Sequence, residues 1–377
     1  MKPNVLVLAH EPYLNGASHS LLTLLSGLKE EFNFLVIVPA VGAMTEALNK
    51  QGVEWKVCKL PRCAVSIRST WQQIWGTLAF IKNKQNHLNR LKQCIGLFTP
   101  HLIYTNTSVQ DLGFDLSRKI KCAHIWHVRE YGDLDFSYQY IPSRKRILAK
   151  MRQSEAVVFT THDLKKHWNL FHSDQFVVYN GVLNHTVAFQ DVLTWQNPIR
   201  ISIVGLIMPT KGQLDALEIV KALRDSGLAV QLQFFGEVND AAYHEQLMAF
   251  VEKNQLQTRV GWKGYVAQDA LYQQTDILLS CAKNEGFGRT IIEAMARGIP
   301  VIARAKGGPL EIIKSGMNGF LFTNTSEAVQ RIRELIEAKH VRIQLSTQGR
   351  LHAQEQFSVA QYVHQMHAIL KKINDEK

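Results

Sequence analysis

Long hydrophobic runs are missing from this 377-residue chain: no apolar stretch approaches the about 20 residues a helix needs to cross a bilayer. A leader is not expected either, because Met1-Lys2-Pro3 runs straight into the strand-like Asn4 to Leu8, and a cytoplasmic protein follows. Cysteine is scarce, with five residues at 58, 63, 94, 122 and 281, odd in number and scattered. That pattern excludes a disulfide framework and points to reduced thiols. Cys58 and Cys63 are near neighbours, but no second cysteine or histidine pair completes a zinc set, so both read as packing residues. His364 and His367 stand one helical turn apart, also lack a third ligand, and read as surface residues. No carboxylate cluster of the Asp-x-Asp kind directly follows a strand, which argues against a metal cage. Aromatic residues are not interleaved with basic ones on strands, which argues against a nucleic-acid module.

Acidic residues are in deficit, 32 against 43 Lys and Arg, for a net charge of +11. The imbalance is uneven. Residues 1–190 hold 22 basic and 13 acidic side chains, a net of +9, which leaves 21 against 19, a net of +2, for the rest. The first half is therefore expected to face something anionic: a phosphorylated substrate, a membrane surface or a nucleic acid. The length argues for two domains, and 46% apolar with 20% charged residues is ordinary for globular proteins.

What is present is concentrated between Asp276 and Ala303. Asp276-Ile277-Leu278-Leu279-Ser280 reads as a buried strand; Ile291, Ile292, Met295 and Ala296 then recur at helical spacing. Gly298 and Pro300 stop that helix, and Val301-Ile302-Ala303 is the next strand. Between strand and helix lies Asn284-Glu285-Gly286-Phe287-Gly288-Arg289, at the strand end where open α/β sheets bind ligands. Without Cβ atoms, Gly286 and Gly288 let backbone amides approach a phosphate, and a helix N-terminus favours negative charge there. Glu285 and Glu293 need other partners, and hydroxyl groups suit them, since a carboxylate accepts two hydrogen bonds from a diol. A ribose at Glu293 and a sugar ring near Glu285 place a nucleotide sugar across the loop. The plainer alternative is a helix-capping Glu285 and a solvated Glu293.

The same strand–loop–helix plan opens the chain: Val5 to Leu8, a loop ending near Gly16, then Leu21, Leu22, Leu24, Leu25 and Leu28. Strands are expected at 34–38 and 53–57, with a helix from near Met44 that Gly52 ends. From Trp71 to Phe98 a helical apolar period (Trp71, Ile74, Trp75, Leu78, Ile81, Leu88, Leu91, Ile95) runs beside Lys82, Lys84, Arg90 and Lys92. Packing on a sheet is the favoured reading, with contact to an anionic membrane as a second role. His101 to Tyr104 runs into Thr105-Asn106-Thr107-Ser108, polar groups expected to open onto a cleft. Ala123 to Val128 runs into Arg129 and Glu130, which are free to pair with each other, and His127 sits where that strand leaves the sheet. Tyr131 to Ile141 reads as a mobile acidic and aromatic loop, and Arg144, Lys145, Arg146, Lys150 and Arg152 as a basic cluster. The second domain opens with Ile199 to Val204, then Gly205-Leu206-Ile207-Met208-Pro209-Thr210-Lys211-Gly212. Lys211 is expected to begin a helix, where a lysine is poorly placed unless an anion lies beside it.

Taken together, Glu285-x7-Glu293, the run Glu-Gly-Phe-Gly…Glu-Ala-Met…Gly-Ile-Pro-Val-Ile-Ala, then Gly307-Gly308-Pro309-Leu310-Glu311 and Asn318-Gly319 resemble the donor site of family 4 (GT4) glycosyltransferases, retaining enzymes of the GT-B fold. The match is close over 276–320 and weaker over nearly the whole chain. It implies an α/β protein of two doubly wound Rossmann-like domains facing across a cleft. These are 1–185 for the acceptor, a linker at 186–198, and 199–358 for the nucleotide sugar, with 359–377 crossing back onto the first. It implies hexosyl transfer from a UDP- or GDP-sugar to a glycan or lipid-linked acceptor, as in bacterial surface polysaccharide synthesis, with no metal or cofactor. The protein is expected in the cytoplasm, peripherally on the inner face of the plasma membrane. By the same resemblance His127 lies close to the transferred sugar, and Glu285 and Lys211 are the other catalytic candidates. Gly16 faces the donor phosphates, and Gly264 and Tyr265 hold the base through backbone groups. Gly205, Lys211, Gly286, Phe287, Gly288, Arg289 and Glu293 complete the nucleotide-sugar site. One departure stands out: the family usually has an arginine as well as the lysine in the loop after Val204, and here Leu206 takes its place. A nucleotide-sugar epimerase or phosphorylase on the same fold, and a catalytically degenerate transferase subunit, are the alternatives.

Overall fold

The computed structural model of the chain describes residues 2–66, 70–183, 195 and 197–376, with backbone alone at 66, 70–76 and 79. Two compact units emerge, Met1–Gly181 with Val359–Lys377, and Val182–Ser358. The linker expected at 186–198 lies outside the described residues apart from Trp195, Asn197 and Pro198.

In the first unit, short runs of Val, Leu and Ile form parallel strands in the order Glu54–Val57, Asn33–Val38, Asn4–Leu8, Leu102–Thr105, Ala123–Val128, Ala156–Phe159, Gln175–Val177. A parallel strand covered on both faces must be apolar on both, and the two-residue period separates the faces. Val5 and Val7 join the core under the helix Gly16–Leu28, while Leu6 and Leu8 join Leu88, Leu91 and Ile95 on the other side. Those three come from the helix Thr70–Ile95, which therefore packs on the sheet, as the apolar period predicts. Leu78 and Ile81 of that helix are half exposed, whereas the side chains of Trp71, Ile74 and Trp75 lie outside the described residues. The chain's last helix, Val359–Asp375, buries Tyr362, Met366, Ile369, Leu370 and Ile373 in the same core as Val5 and Val7. Its Val363 presses on Gly27, where any Cβ would sit 2.6 Å from Val363 Cγ2.

The second unit has parallel strands in the order Val260–Gly264, Val230–Phe235, Ile199–Val204, Ile277–Ser280, Val301–Arg304, Phe320–Phe322. In both sheets the strand order reverses beside the unit's first strand, and the loops leaving the sheet at such a reversal diverge to opposite faces, leaving room for a ligand. Among the described residues no helix is long and apolar enough to cross a membrane.

Two expectations are corrected. The run from Tyr131 to Ile141 is built as a short helix, Asp133–Phe136, and a strand, Tyr138–Tyr140, paired antiparallel with Ala64–Ser66. Asp135 ties the turn by accepting hydrogen bonds from the amides of Tyr131 (2.9 Å) and Gly132 (2.7 Å), contacts with no periodic signature in the sequence. The basic cluster is in part neutralised: Lys150 meets Asp111 and Asp115, and Arg144 meets Asp133.

Candidate active site

The loops at the reversal in the second sheet come together because glycines let them. Gly205 (φ +146°) and Gly236 (φ +145°) adopt backbone that side chains avoid, and a Cβ on Gly236 would sit 2.1 Å from the Gly205 carbonyl oxygen. Gly212 leaves the turn Pro209–Lys211 in left-handed conformation and packs on the Cys281 carbonyl at the end of strand Ile277–Ser280. The helix that follows is Gln213–Asp225, so Lys211 stands in the turn before it and does not begin it. The reason is local, since Gly212 in the left-handed region interrupts helical hydrogen bonding. An amide of Lys283 bonds the Thr210 carbonyl (2.8 Å), which draws the second loop against the first.

This packing brings Lys211 Nζ to 2.7 Å from Glu285 Oε2. The anion beside this lysine is thus a carboxylate of the protein itself, and Glu285, for which hydroxyl partners are expected, also forms an ion pair. Both side chains remain partly exposed. Gly286 and Phe287 continue the loop; Phe287 is buried edge-on against Phe357. Gly288 (φ +106°) caps the helix Arg289–Ala296. Glu293 lies one turn into that helix, where Tyr272 Oη donates to its Oε2 (3.0 Å) and Arg289 Nη2 is 3.7 Å from its Oε1. The Gly307-Gly308 turn braces the loop from below: the Gly308 amide bonds the Glu285 carbonyl (2.8 Å), and its Cα faces Phe287 with no room for a Cβ. Gly264 (φ +62°) closes the strand Val260–Gly264, and Tyr265 beyond it is 83% exposed. Leu206 is also exposed, in the loop where the second cation is missing. Tyr272 is the neighbour that sequence reasoning missed, because a lone aromatic in a short helix carries no signal of its partner.

The first unit gathers the other candidates. Gly16 opens the helix Gly16–Leu28, capped by the Asn15 side chain, which accepts from the Ser18 amide. His127 is wholly buried near the end of strand Ala123–Val128, with Nδ1 2.5 Å from Tyr104 Oη and 3.3 Å from Arg129 Nη2. Burial, then the Arg129 charge, holds its imidazole well below the ordinary histidine value. Arg129 and Glu130 do not pair. Arg129 reaches Asn106, Asn180 and Tyr362, while Glu130 turns the other way to accept from Thr107 Oγ1 and from the amide and hydroxyl of Ser108, each at 2.6 Å. Successive strand residues point to opposite faces, which is why neighbours in sequence part company. Thr105 to Ser108, expected to open onto a cleft, are buried and partnered in this way; Thr105 bonds His124.

Comparison with known proteins bears on both units. Residues 187–352 match the family described as glycosyl transferases group 1. The chain is 27% identical over 186 residues to a trehalose synthase of Pyrococcus horikoshii, covering 47% of this chain and 45% of that protein. It is 29% identical over 161 residues to a lipopolysaccharide 1,6-galactosyltransferase of Salmonella typhimurium, covering 38% and 45%. The chain thus spans less than half the length of these relatives. In three dimensions it resembles Anabaena Alr3699/HepE, solved with UDP and glucose, with a TM-score of 0.76 over 97% of this chain and 99% of that one, at 20% identity. The fold is GT-B. Each GT-B unit here is a Rossmann-like sheet whose reversal point carries the loops just described.

Proposed function

We propose that the protein is a retaining glycosyltransferase that moves a hexosyl group from a UDP- or GDP-sugar to a glycan or lipid-linked acceptor in bacterial surface polysaccharide synthesis. The observation that carries this reading is the pairing of Lys211 with Glu285 between two glycine-bearing loops at a sheet reversal, with Glu293 on the adjoining helix. Lys211 takes up the charge that develops on the diphosphate leaving group, assisted by the loop amides and the start of the helix Arg289–Ala296. As the diphosphate claims Lys211, Glu285 is released to accept hydrogen bonds from sugar hydroxyls, and Glu293, held by Tyr272, takes the ribose diol. Gly264 and Tyr265 offer backbone groups to the base. The group 1 match, the galactosyltransferase relative and the UDP and glucose bound by HepE support a nucleotide-sugar donor. The chemistry needs no metal, since a lysine and backbone dipoles supply the positive field. A membrane-borne acceptor suits the net +9 of residues 1–190.

The test is incubation with a panel of nucleotide sugars, with and without anionic vesicles carrying lipid-linked glycans, following nucleotide release and product mass, with NMR of the anomeric linkage. Release of a nucleoside diphosphate coupled to an α-linked product from an α-linked donor supports the reading. Isomerised donor without transfer would mean an epimerase. Tight nucleoside diphosphate binding with no turnover would mean a degenerate subunit, the reading that the exposed Leu206 favours.

A further inference from the structure

The surroundings of His127 decide which way its hydrogen bonds run. Two groups converge on Nδ1: the Tyr104 hydroxyl at 2.5 Å and Arg129 Nη2 at 3.3 Å. A guanidinium only donates, so Nδ1 presents its lone pair, and the Tyr104 hydroxyl donates to the same atom. The one proton of a neutral ring then sits on Nε2. That atom is buried and meets no partner among the described residues. A buried donor is costly to leave unpaired, so an oxygen brought by a ligand is its natural complement.

Among the described residues, nothing beside the ring favours a second proton. Arg129 stands beside it, and the partners of that guanidinium are neutral: Asn106 Oδ1 (2.7 Å), Asn180 Oδ1 (2.6 Å) and Tyr362 Oη (3.2 Å). Tyr104 comes from the strand Leu102–Thr105, and Val158, the register partner on Ala156–Phe159, is apolar. Tyr362 comes from the chain's last helix, more than 200 residues away in sequence. Burial and the Arg129 charge both act against protonation.

We propose that Arg129, with Tyr104 and Tyr362, is a positioning residue that locks His127 in the Nε2–H tautomer, so that the ring donates a hydrogen bond to a hydroxyl oxygen of a substrate held by the first unit and takes no proton from it. This rests on the glycosyl-transfer reading for the identity of the ligand, but the tautomer itself does not.

Histidine-labelled protein examined by two-bond nitrogen–proton correlation tests the tautomer directly. The signal lost in His127→Gln, or displaced in Tyr104→Phe where the first variant does not fold, should show the Nε2–H pattern and no titration between pH 5 and 8. An Nδ1–H pattern, or titration within that range, overturns the proposal. Arg129→Met should let the Nδ1–H form appear, and an unchanged tautomer there removes Arg129 from the role. With a donor found in the panel, His127→Gln, whose amide reaches the Nε2 position, should turn over about tenfold faster than His127→Asn, as one hydrogen bond requires. The pH profile of kcat should keep its shape in His127→Gln; loss of a limb would show that the ring acts as a base. Should no donor be turned over, the tautomer measurements still decide the proposal.

Discussion

Lys211 and Glu285, 74 residues apart in sequence, meet at 2.7 Å, and the distance raises the question of what the pair is for. Both are partly exposed, and such pairs contribute about 1 kcal/mol or less to stability. The pair therefore adds little to stability; on the proposed reading the lysine is held where a diphosphate arrives, and the carboxylate leaves it when the anion takes over. Lys211→Ala should leave the thermal midpoint nearly unchanged. Turnover should fall by at least about a hundredfold, the usual loss when one preorganised donor to developing charge is removed. Leu206 offers no second cation, so no neighbour in that loop compensates, and Leu206→Arg should tighten nucleoside diphosphate binding in calorimetry. Near-full turnover in Lys211→Ala would transfer the role to Arg289.

At the scale of elements, the turn after strand Val301–Arg304 acts as a brace. A Cβ on Gly308 would lie 2.0 Å from the Phe287 carbonyl oxygen and 2.6 Å from its carbonyl carbon, both backbone atoms that cannot swing aside. Gly308→Ala should cost about 1–3 kcal/mol, as overpacking does, and should shift the loop that carries Glu285. Gly316 makes the useful contrast, since its φ is +82° with open space around it. There, Gly316→Ala should cost about 1–2 kcal/mol from backbone strain alone and leave turnover intact. Urea unfolding beside activity separates the two; equal activity in both variants would show that the Gly308 contact does not support the site.

For the whole molecule, buried histidines make the first unit sensitive to acid. Burial, then the charges of Arg118 and Lys150, pushes the His124 imidazole down to about 3, and His127 is held well below its ordinary value. Both rings stay neutral in the folded state while the unfolded chain takes up protons below about pH 6.5. Stability is thus fully present above that value and is lost as pH falls toward 3, with a slope of about 1.4 kcal/mol per pH unit for each such ring. Unfolding of the first unit at pH 5 should take up about two protons through these rings, read as the pH dependence of its urea unfolding free energy, and His124→Gln should remove one. No change in stability between pH 6 and 5 would mean that these rings titrate in the folded state.

What the sequence determined by itself was periodic or covalent. The two-residue alternation in Val5-Leu6-Val7-Leu8, the helical spacing of Leu88, Leu91 and Ile95, and glycines such as Gly288 that only one backbone geometry explains all survive into the structure because they depend on residues close in the chain. The site loops were legible for the same reason: Glu285 to Glu293 is a loop and the first turn of one helix. Partnership was not legible. Glu285 takes Lys211 and not a ligand alone, Glu293 takes Tyr272, Arg129 turns from Glu130 to Asn180 and Tyr362, and Tyr131 to Ile141 folds on Ala64–Ser66. Each of these joins segments that only the packed sheets bring within hydrogen-bond reach. A polar side chain takes whichever partner the tertiary fold delivers at about 3 Å, and sequence spacing carries no record of that delivery.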